Sequence, residues 1–251
     1  MPKEKTRLDI LLVERGICDD LARASSLILS GSIIVNGEKV TKAGFKYPRD
    51  VKIEVVDKIP EYVSRGALKL KSSFKAFNVN SNKKICIDLG ASTGGFTEIL
   101  LLNGAEKIYA FDVGYGQMAS RLQNNSKVIL KDRFNVRNLS WRDLDFNYSD
   151  LFIVIDLSFI SLLHIFPVIY QLKQDALDKK IEVISLIKPQ FECEPEETEK
   201  GIVKNHRVHF RVLKKIISYL KYQMKAEVIG ICNSGIRGAS GNREFFIYWK
   251  L

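Results

Sequence analysis

Cysteine, long apolar runs and repeats are what this sequence has little of. Its four cysteines, Cys18, Cys86, Cys193 and Cys232, include no pair at C-x-x-C spacing, which argues against a zinc knuckle or a dithiol redox motif. Three of them lie in or beside apolar segments, as reduced structural thiols of a cytosolic protein do. The opening stretch MPKEKTRLD has no apolar signal-peptide core, so a cytoplasmic location is expected. One apolar run, LFIVIDLSFISLLHIFPVIY at residues 151–170, approaches the length of a membrane span, but Asp156 and His164 interrupt it. A buried strand followed by a helix accounts for it, and no membrane partner is expected. No internal repeat or low-complexity tract is present.

What the sequence does contain is a globular composition. Of 251 residues, 46% are hydrophobic and 27% charged, enough for one good core with a small appendage. The net charge is +10 and the pI about 9.3, a balance compatible with a polyanionic partner but also with an ordinary basic protein.

Two textures divide the chain. Residues 6–56 read as helix, helix, hairpin, strand. The segment Arg7–Arg15 places Leu8, Leu11 and Leu12 at helical spacing, with Gly16 as a stop. Asp20 is a candidate N-cap for a second helix carrying Leu21, Ala24, Leu27 and Ile28. Asn36-Gly37 between apolar runs predicts a tight hairpin, and DVKIEVV supplies another strand. Residues 1–60 hold 11 Lys+Arg against 9 Asp+Glu, so placement matters more than sum: Arg7, Arg15, Arg23, Lys39, Lys42 and Lys46 fall on polar faces or in the hairpin region.

From about residue 65 strands and helices alternate. The expected strands are 84–89, 107–112, 127–131, 151–156, 181–187, 226–232 and 244–249, with a helix at 66–77 before the first. That is a doubly wound α/β domain. The last two strands are joined by NSGIRGASGN with no helix between them, so the final one should run antiparallel. Five acids crowd into Glu192–Glu199, and residues 200–225 then carry eight Lys+Arg and no acid. The acidic run reads as a surface loop. The basic stretch reads as a helix over 204–221, its outer face either merely solvated or a phosphate contact.

The chemistry concentrates at one sheet edge. The stretch IDLGASTGGFTEILL at 87–101 is a strand, a small-residue loop and a helix start, an arrangement that offers free N–H groups and the positive end of a helix dipole. Asp112 ends the next strand, where a carboxylate can meet ribose hydroxyls. The spacing Gly90-Ala-Ser-Thr-Gly94-Gly95 departs from G-x-G-x-x-G. By itself the loop suits S-adenosylmethionine as well as a nicotinamide or flavin cofactor. Other charged residues fall at the same edge. Asp156 ends the fourth strand, Lys188 ends the fifth, Glu244 begins the reversed strand and Lys69 lies in the first turns of the helix before strand one. Such a group suits methyl transfer to a hydroxyl. Lys188, kept neutral by burial and by the neighbouring Lys69 ammonium, would take the hydroxyl proton. Asp156 and Glu244 would orient the two amines, and a charged lysine would stabilise the oxyanion. No metal is required.

With those residues placed, the chain resembles the TlyA family, in which an S4 RNA-binding head precedes an FtsJ/RrmJ-like methyltransferase domain. RLDILLVERGICDDLARASSLILSGSIIVNGEKV is similar to an S4 domain. VSRGALKL, DLGASTGGFTEILL, FDVGYGQM, NVR, IDLSFISL, IKPQFE, KGIV and GNREFF follow in the order of the family's signatures. The resemblance implies a Rossmann-like class I fold with a seven-stranded sheet, its last strand antiparallel, over residues 65–251. A small α+β S4 domain would occupy residues 1–60, with a linker at about 57–64. It implies S-adenosylmethionine-dependent ribose 2′-O-methylation of ribosomal RNA, at cytidine, on free RNA or ribosomal subunits, by a monomer or weak homodimer. It implies a Lys69-Asp156-Lys188-Glu244 catalytic tetrad, cofactor contacts at Gly90, Gly94, Phe96, Asp112, Asp132 and Asp156, and RNA contacts at Arg7, Arg15, Arg23, Lys39, Lys42 and Arg65. Thr93 and Phe96 stand where FtsJ-like enzymes often carry proline and tryptophan, and Phe96 is expected to keep an aromatic wall at the cofactor. CDDLARA replaces the more usual Ser-Arg start of the second S4 helix. A non-catalytic RNA-binding assembly factor with a relic site is the alternative, against which the intact tetrad argues. Some family members are labelled haemolysins; the composition offers nothing for a pore former.

Overall fold

The computed structural model describes residues 5–29, 31–55, 62–144, 150–238 and 240–251, the side chains of Ala22, Ser26 and Leu29 excepted. The chain divides into two compact units, Met1–Val63 and Ser64–Leu251. Most of the expected linker, 57–61, lies outside the described residues.

The first unit opens with strand β1 (Lys5–Arg7), then helices α1 (Leu8–Glu14) and α2 (Leu21–Leu29) and strands β2 (Ile33–Val35), β3 (Glu38–Val40), β4 (Lys46–Pro48) and β5 (Ile53–Val55). β1 is a departure from the sequence reading, which started the helix at Arg7. Arg7 is extended and serves as the N-cap of α1, and β1 pairs antiparallel with β4. Asp20 caps α2 as expected, its Oδ1 accepting the Arg23 N–H at 2.8 Å. The β2–β3 hairpin closes through Asn36 and Gly37, both at positive φ, which is what a two-residue turn between twisted strands demands. Leu8, Leu11, Leu12, Ala24, Leu27, Ile28 and Ile33 form this unit's own core.

The second unit adds α3 (Arg65–Phe77), β6 (Ile85–Leu89), α4 (Gly95–Leu102), β7 (Lys107–Phe111), the short α5 (Ser120–Gln123), β8 (Val128–Lys131), β9 (Leu151–Ile155), α6 (Phe166–Asp175), β10 (Ile181–Ile187), α7 (His206–Ser218), β11 (Glu227–Asn233) and β12 (Phe245–Lys250). The sheet order is β11-β12-β10-β9-β6-β7-β8. β6 through β10 run parallel, and β12 inserts antiparallel between β10 and β11. The seven-stranded sheet with its last strand reversed is thus present.

Strand residues alternate between two cores. Ile87, Leu89, Ile153, Ile155, Val183, Ile247 and Trp249 meet α6 and α7. On the other face Phe152 stacks edge-on against Phe74 of α3 at 5.7 Å. The basic helix starts two residues later than read and runs two residues past Lys221. Asn205 caps it by accepting the Arg207 N–H at 2.9 Å, and it ends in a π-turn at Tyr219–Gln223. Val208, Val212, Ile216 and Leu220 turn inward. Outside, Arg211 pairs with Glu197, and Lys204 pairs with Glu199 at 2.5 Å, so the acidic run partly neutralises its basic neighbour. Among the described residues no helix is long and apolar enough to cross a membrane.

Candidate active site

The carboxyl edge of the parallel strands collects the polar residues. β6 ends at Leu89 and the chain turns at Gly90, whose φ is +92°. A Cβ there would lie 2.4 Å from the Asp156 carbonyl oxygen, so only glycine lets the ends of β6 and β9 approach so closely. The N-termini of α3 and α4 abut in the same way: a Cβ on Gly95 would meet the Ala67 nitrogen at 2.9 Å. This contact brings the first turns of α3, and with them Lys69, to the glycine loop.

Two ammonium–carboxylate pairs stand at that edge. Lys188, just past β10, lies 2.6 Å from Asp156 Oδ1, with side chains 11% and 18% exposed. Its Nζ also donates to Ser158 Oγ at 2.9 Å. Lys69 lies 2.7 Å from Glu244 Oε2, with side chains 11% and 3% exposed. Both carboxylate oxygens meet their lysines at ion-pair distance while lying outside hydrogen-bond angles. The ladder pairs Ile187 with Phe245, so Lys188 and Glu244 project from neighbouring positions on adjacent strands. Desolvating such charges is costly unless they are paired. The apolar run around Asp156 therefore finds its counter-charge in Lys188.

Asp88 was not singled out from the sequence. It is fully buried on β6, and its Oδ2 accepts the Thr97 hydroxyl of α4 at 2.7 Å. Burial, with Asp156 and Asp112 nearby, pushes its carboxyl up to about 7. Its Oδ1 has no hydrogen-bond partner among the described residues. A strand acid beneath a glycine loop was visible in IDLGAS, but its burial depended on α4 lying over it.

The remaining cofactor candidates separate. Asp112, after β7, accepts the Ser92 N–H at 2.7 Å and the Gly114 N–H at 2.6 Å. Asp132, after β8, accepts the Gly116 N–H at 2.8 Å. Both hold the backbone of the loops around the glycine turn. Phe96 departs from expectation. It is 3% exposed and packs on Phe246 with ring centroids 6.0 Å apart. In the first turn of α4 it points into the sheet and forms no open wall.

A cavity of about 640 Å³ opens on the segments that follow Asp156 and Lys188 in the chain, lined by Arg137, Phe159, Ile160, Ser161, His164 and Phe191. Phe159 is 90% exposed, and its ring lies 5.1 Å from that of Phe191. The segments carrying Asp156 and Lys188 are also tied together by Glu192. Its buried carboxylate accepts from Ser161 Oγ at 2.6 Å and from the Leu162 N–H at 2.7 Å, and burial raises its proton affinity.

The candidate RNA residues of the first unit are not equivalent. Arg15 donates to the carbonyls of Val51, at 2.8 Å, and Arg49. Its guanidinium closes the head's own loop, contrary to a free cation. Arg7 pairs with Asp9 at 2.6 Å, and Arg23 lies 3.9 Å from Asp19. Lys39 and Lys42 are exposed. In the second unit, exposed Arg65 donates to the Arg237 carbonyl at 2.9 Å. Among the described residues no group of three His, Cys, Asp or Glu side chains is placed to hold a metal ion.

Comparison with known proteins finds two family models. FtsJ-like methyltransferase matches residues 62–251 and S4 domain matches residues 6–52. YqxC of Bacillus subtilis (strain 168), which carries an rRNA methyltransferase label, is 40% identical over 252 residues, covering 99% of this chain and 86% of that protein. The 16S/23S rRNA (cytidine-2′-O)-methyltransferase TlyA of Mycobacterium tuberculosis (strain ATCC 25618 / H37Rv) is 34% identical over 253 residues, covering 98% and 90%. A solved structure from Streptococcus thermophilus that carries a hemolysin label superposes with a TM-score of 0.72 at 34% identity, covering 98% of this chain and 88% of that one.

Proposed function

Because the chain belongs to the FtsJ-like methyltransferase family and opens with an S4 domain, we propose that it transfers a methyl group from S-adenosylmethionine to a ribose 2′-hydroxyl of ribosomal RNA, at cytidine. The observation that carries this reading is Lys188 held at 2.6 Å from Asp156 and 2.9 Å from Ser158 at the strand edge beside the glycine loop.

The residues at the edge fit the cofactor. Asp88 keeps an orphaned buried oxygen below the loop, and the Gly90 turn has no room for a side chain. The loop from Gly90 to Gly94 and the start of α4 would hold the methionine end, Asp112 the ribose and Asp132 the adenine side. S-adenosylmethionine, when bound, supplies an electrophilic methyl group. The chain's own residues prepare the acceptor. Lys188, as an amine, would take the hydroxyl proton: the O–H bond breaks as the new O–C bond forms, the methyl group's bond to the donor sulfur breaks with its electron pair left on sulfur, and the resulting ammonium is the charge state seen paired with Asp156. Ser158 fixes the direction of the amine. Lys69, oriented by Glu244, faces the developing oxyanion as a preorganised charge. The cavity lined by Phe159 and Phe191 is large enough to take the acceptor nucleoside. In the first unit, exposed Lys39 and Lys42 are the candidates for phosphate contact, with Arg7 and Arg23 beside their acids.

The test replaces Lys188 with Ala in the full chain. Calorimetry with S-adenosylhomocysteine and single-turnover transfer of labelled methyl to ribosomal subunits are then compared. Retained cofactor binding with transfer reduced by about 10²-fold or more is expected. Transfer near the wild-type rate rules out the assignment of Lys188 as base.

A further inference from the structure

Glu244 faces two neighbourhoods. One side of its carboxylate meets Lys69. The other lines a second cavity of about 240 Å³, together with Asn233, Ser234, Arg237 and Arg243. We propose that this cavity grips an anionic group of the acceptor strand, the phosphodiester immediately 3′ to the methylated ribose. The assignment rests on the methyltransferase reading and names the substrate contact beside its site.

Three observations carry it. First, the lining is that of an anion site. Arg237 and Arg243, with Asn233 and Ser234, line a space whose single acid is already neutralised by Lys69. Arg237 Nη1 and Ser234 Oγ also tie the connection by donating to the Gly241 and Ile236 carbonyls at 2.9 and 2.6 Å, which leaves Arg243 as the uncommitted guanidinium. Guanidinium suits phosphate, because its fork of N–H groups matches two oxygens at once. Second, the connection between β11 and β12 that carries the arginines is held from several sides. Ser72 of α3 donates to the Ser234 carbonyl at 3.0 Å, Arg65 donates to the Arg237 carbonyl at 2.9 Å, and Asn242 accepts the Val203 N–H at 2.9 Å. Gly238 closes the turn against the site: a Cβ there would meet Glu244 Oε1 at 2.4 Å. A cavity so fixed is preorganised for a ligand. Third, its place suits the substrate. β12 lies next to β10 and β11 next to β12, so the cavity lies one to two strand spacings, ~5 to 10 Å, from the end of β10 that carries Lys188. In RNA the carbon bearing the 2′-hydroxyl adjoins the one bearing the 3′ phosphodiester. A ribose presented to Lys188 therefore carries an anion at short range, and this cavity offers cationic side chains on that flank.

A carboxylate offers the same chemistry, so the methionine end of the cofactor is the other source, and the experiment separates the two. Among the described residues the Arg243 side chain makes no hydrogen bond, so Arg243→Gln leaves the connection's own bonds in place. Wild-type full chain, Arg243→Gln, Arg243→Lys and the double variant Arg237→Gln/Arg243→Gln are compared in three measurements. These are binding of a labelled single-stranded oligocytidylate across a salt series with S-adenosylhomocysteine present, calorimetry with S-adenosylhomocysteine alone, and methyl transfer to ribosomal subunits. Expected are a salt slope shallower by about 0.7 for each phosphate no longer neutralised, a KM for subunits raised several-fold at little-changed kcat, unchanged S-adenosylhomocysteine affinity, and partial recovery in Arg243→Lys. Unchanged slope and KM in variants that melt like wild type overturn the proposal. A loss confined to S-adenosylhomocysteine affinity also overturns it, giving the cavity to the cofactor carboxylate. Failure of the wild type to methylate subunits would instead sink the methyltransferase reading, while the salt series still tests the anion site.

Discussion

Asp88 shows what one buried acid does to the pH dependence of this fold. Its carboxyl is pushed from an ordinary 3.8 up to about 7, first by burial and then by Asp156 and Asp112, against the opposing hydrogen bond from Thr97. The folded pKa is raised, so the folded chain holds a proton that the unfolded chain releases between these values. The resulting contribution to stability is present below pH 3.8 and lost as pH rises through about 7. Asp88→Asn cannot ionise and should escape that loss. The stability difference between variant and wild type should move in the variant's favour across this window, by about 4 kcal/mol at most given about 1.4 kcal/mol per unit. Urea titrations at pH 4 and pH 8 read it directly, and a difference independent of pH contradicts the burial argument.

At the scale of elements, the edge works because separate segments are stapled together. Glu192 belongs to the segment after β10, and Ser161 and Leu162 belong to the segment after β9. The two bonds it accepts, at 2.6 and 2.7 Å, hold the Lys188 and Asp156 segments in one arrangement. Glu192→Ala leaves the half-buried Ser161 hydroxyl and the buried Leu162 N–H without their acceptor. About 2 kcal/mol or more of stability should go with them, seen as a lower urea midpoint. Turnover should fall more than cofactor affinity, since the loosened groups act on the acceptor. A variant with wild-type midpoint and kcat would show that the clamp is incidental. The two-residue Asn36-Gly37 turn, the Asp20 cap and the reversed last strand were legible in the sequence, because turn, cap and connection length are local. β1 was not: Arg7 starts a helix pattern, and its extension follows from pairing with residues some forty positions away.

For the molecule as a whole, every candidate cofactor and catalytic residue falls in the 64–251 unit, while the S4 match falls in the other. The segment 64–251 expressed alone should therefore keep wild-type affinity for S-adenosylhomocysteine by calorimetry. Its affinity for ribosomal subunits should fall by roughly 10²-fold, the gain commonly conferred by a second linked binding module. Equal subunit affinity in the two proteins would remove the RNA-capture role from the first unit. By itself the sequence determined the alternation of strand and helix, the glycine loop, the three charged residues at strand ends and Lys69 early in the helix before strand one, because a parallel sheet's side-chain period and crossovers are written locally. Tertiary structure alone decided the partners: Lys188 with Asp156 and Ser158, Lys69 with Glu244, Phe96 turned inward, Arg15 closed on its own head, and Asp88 buried beneath α4. Those outcomes depend on which strands lie side by side and which helix covers which face. Contacts between residues far apart in the chain set them, and no local pattern encodes such distances.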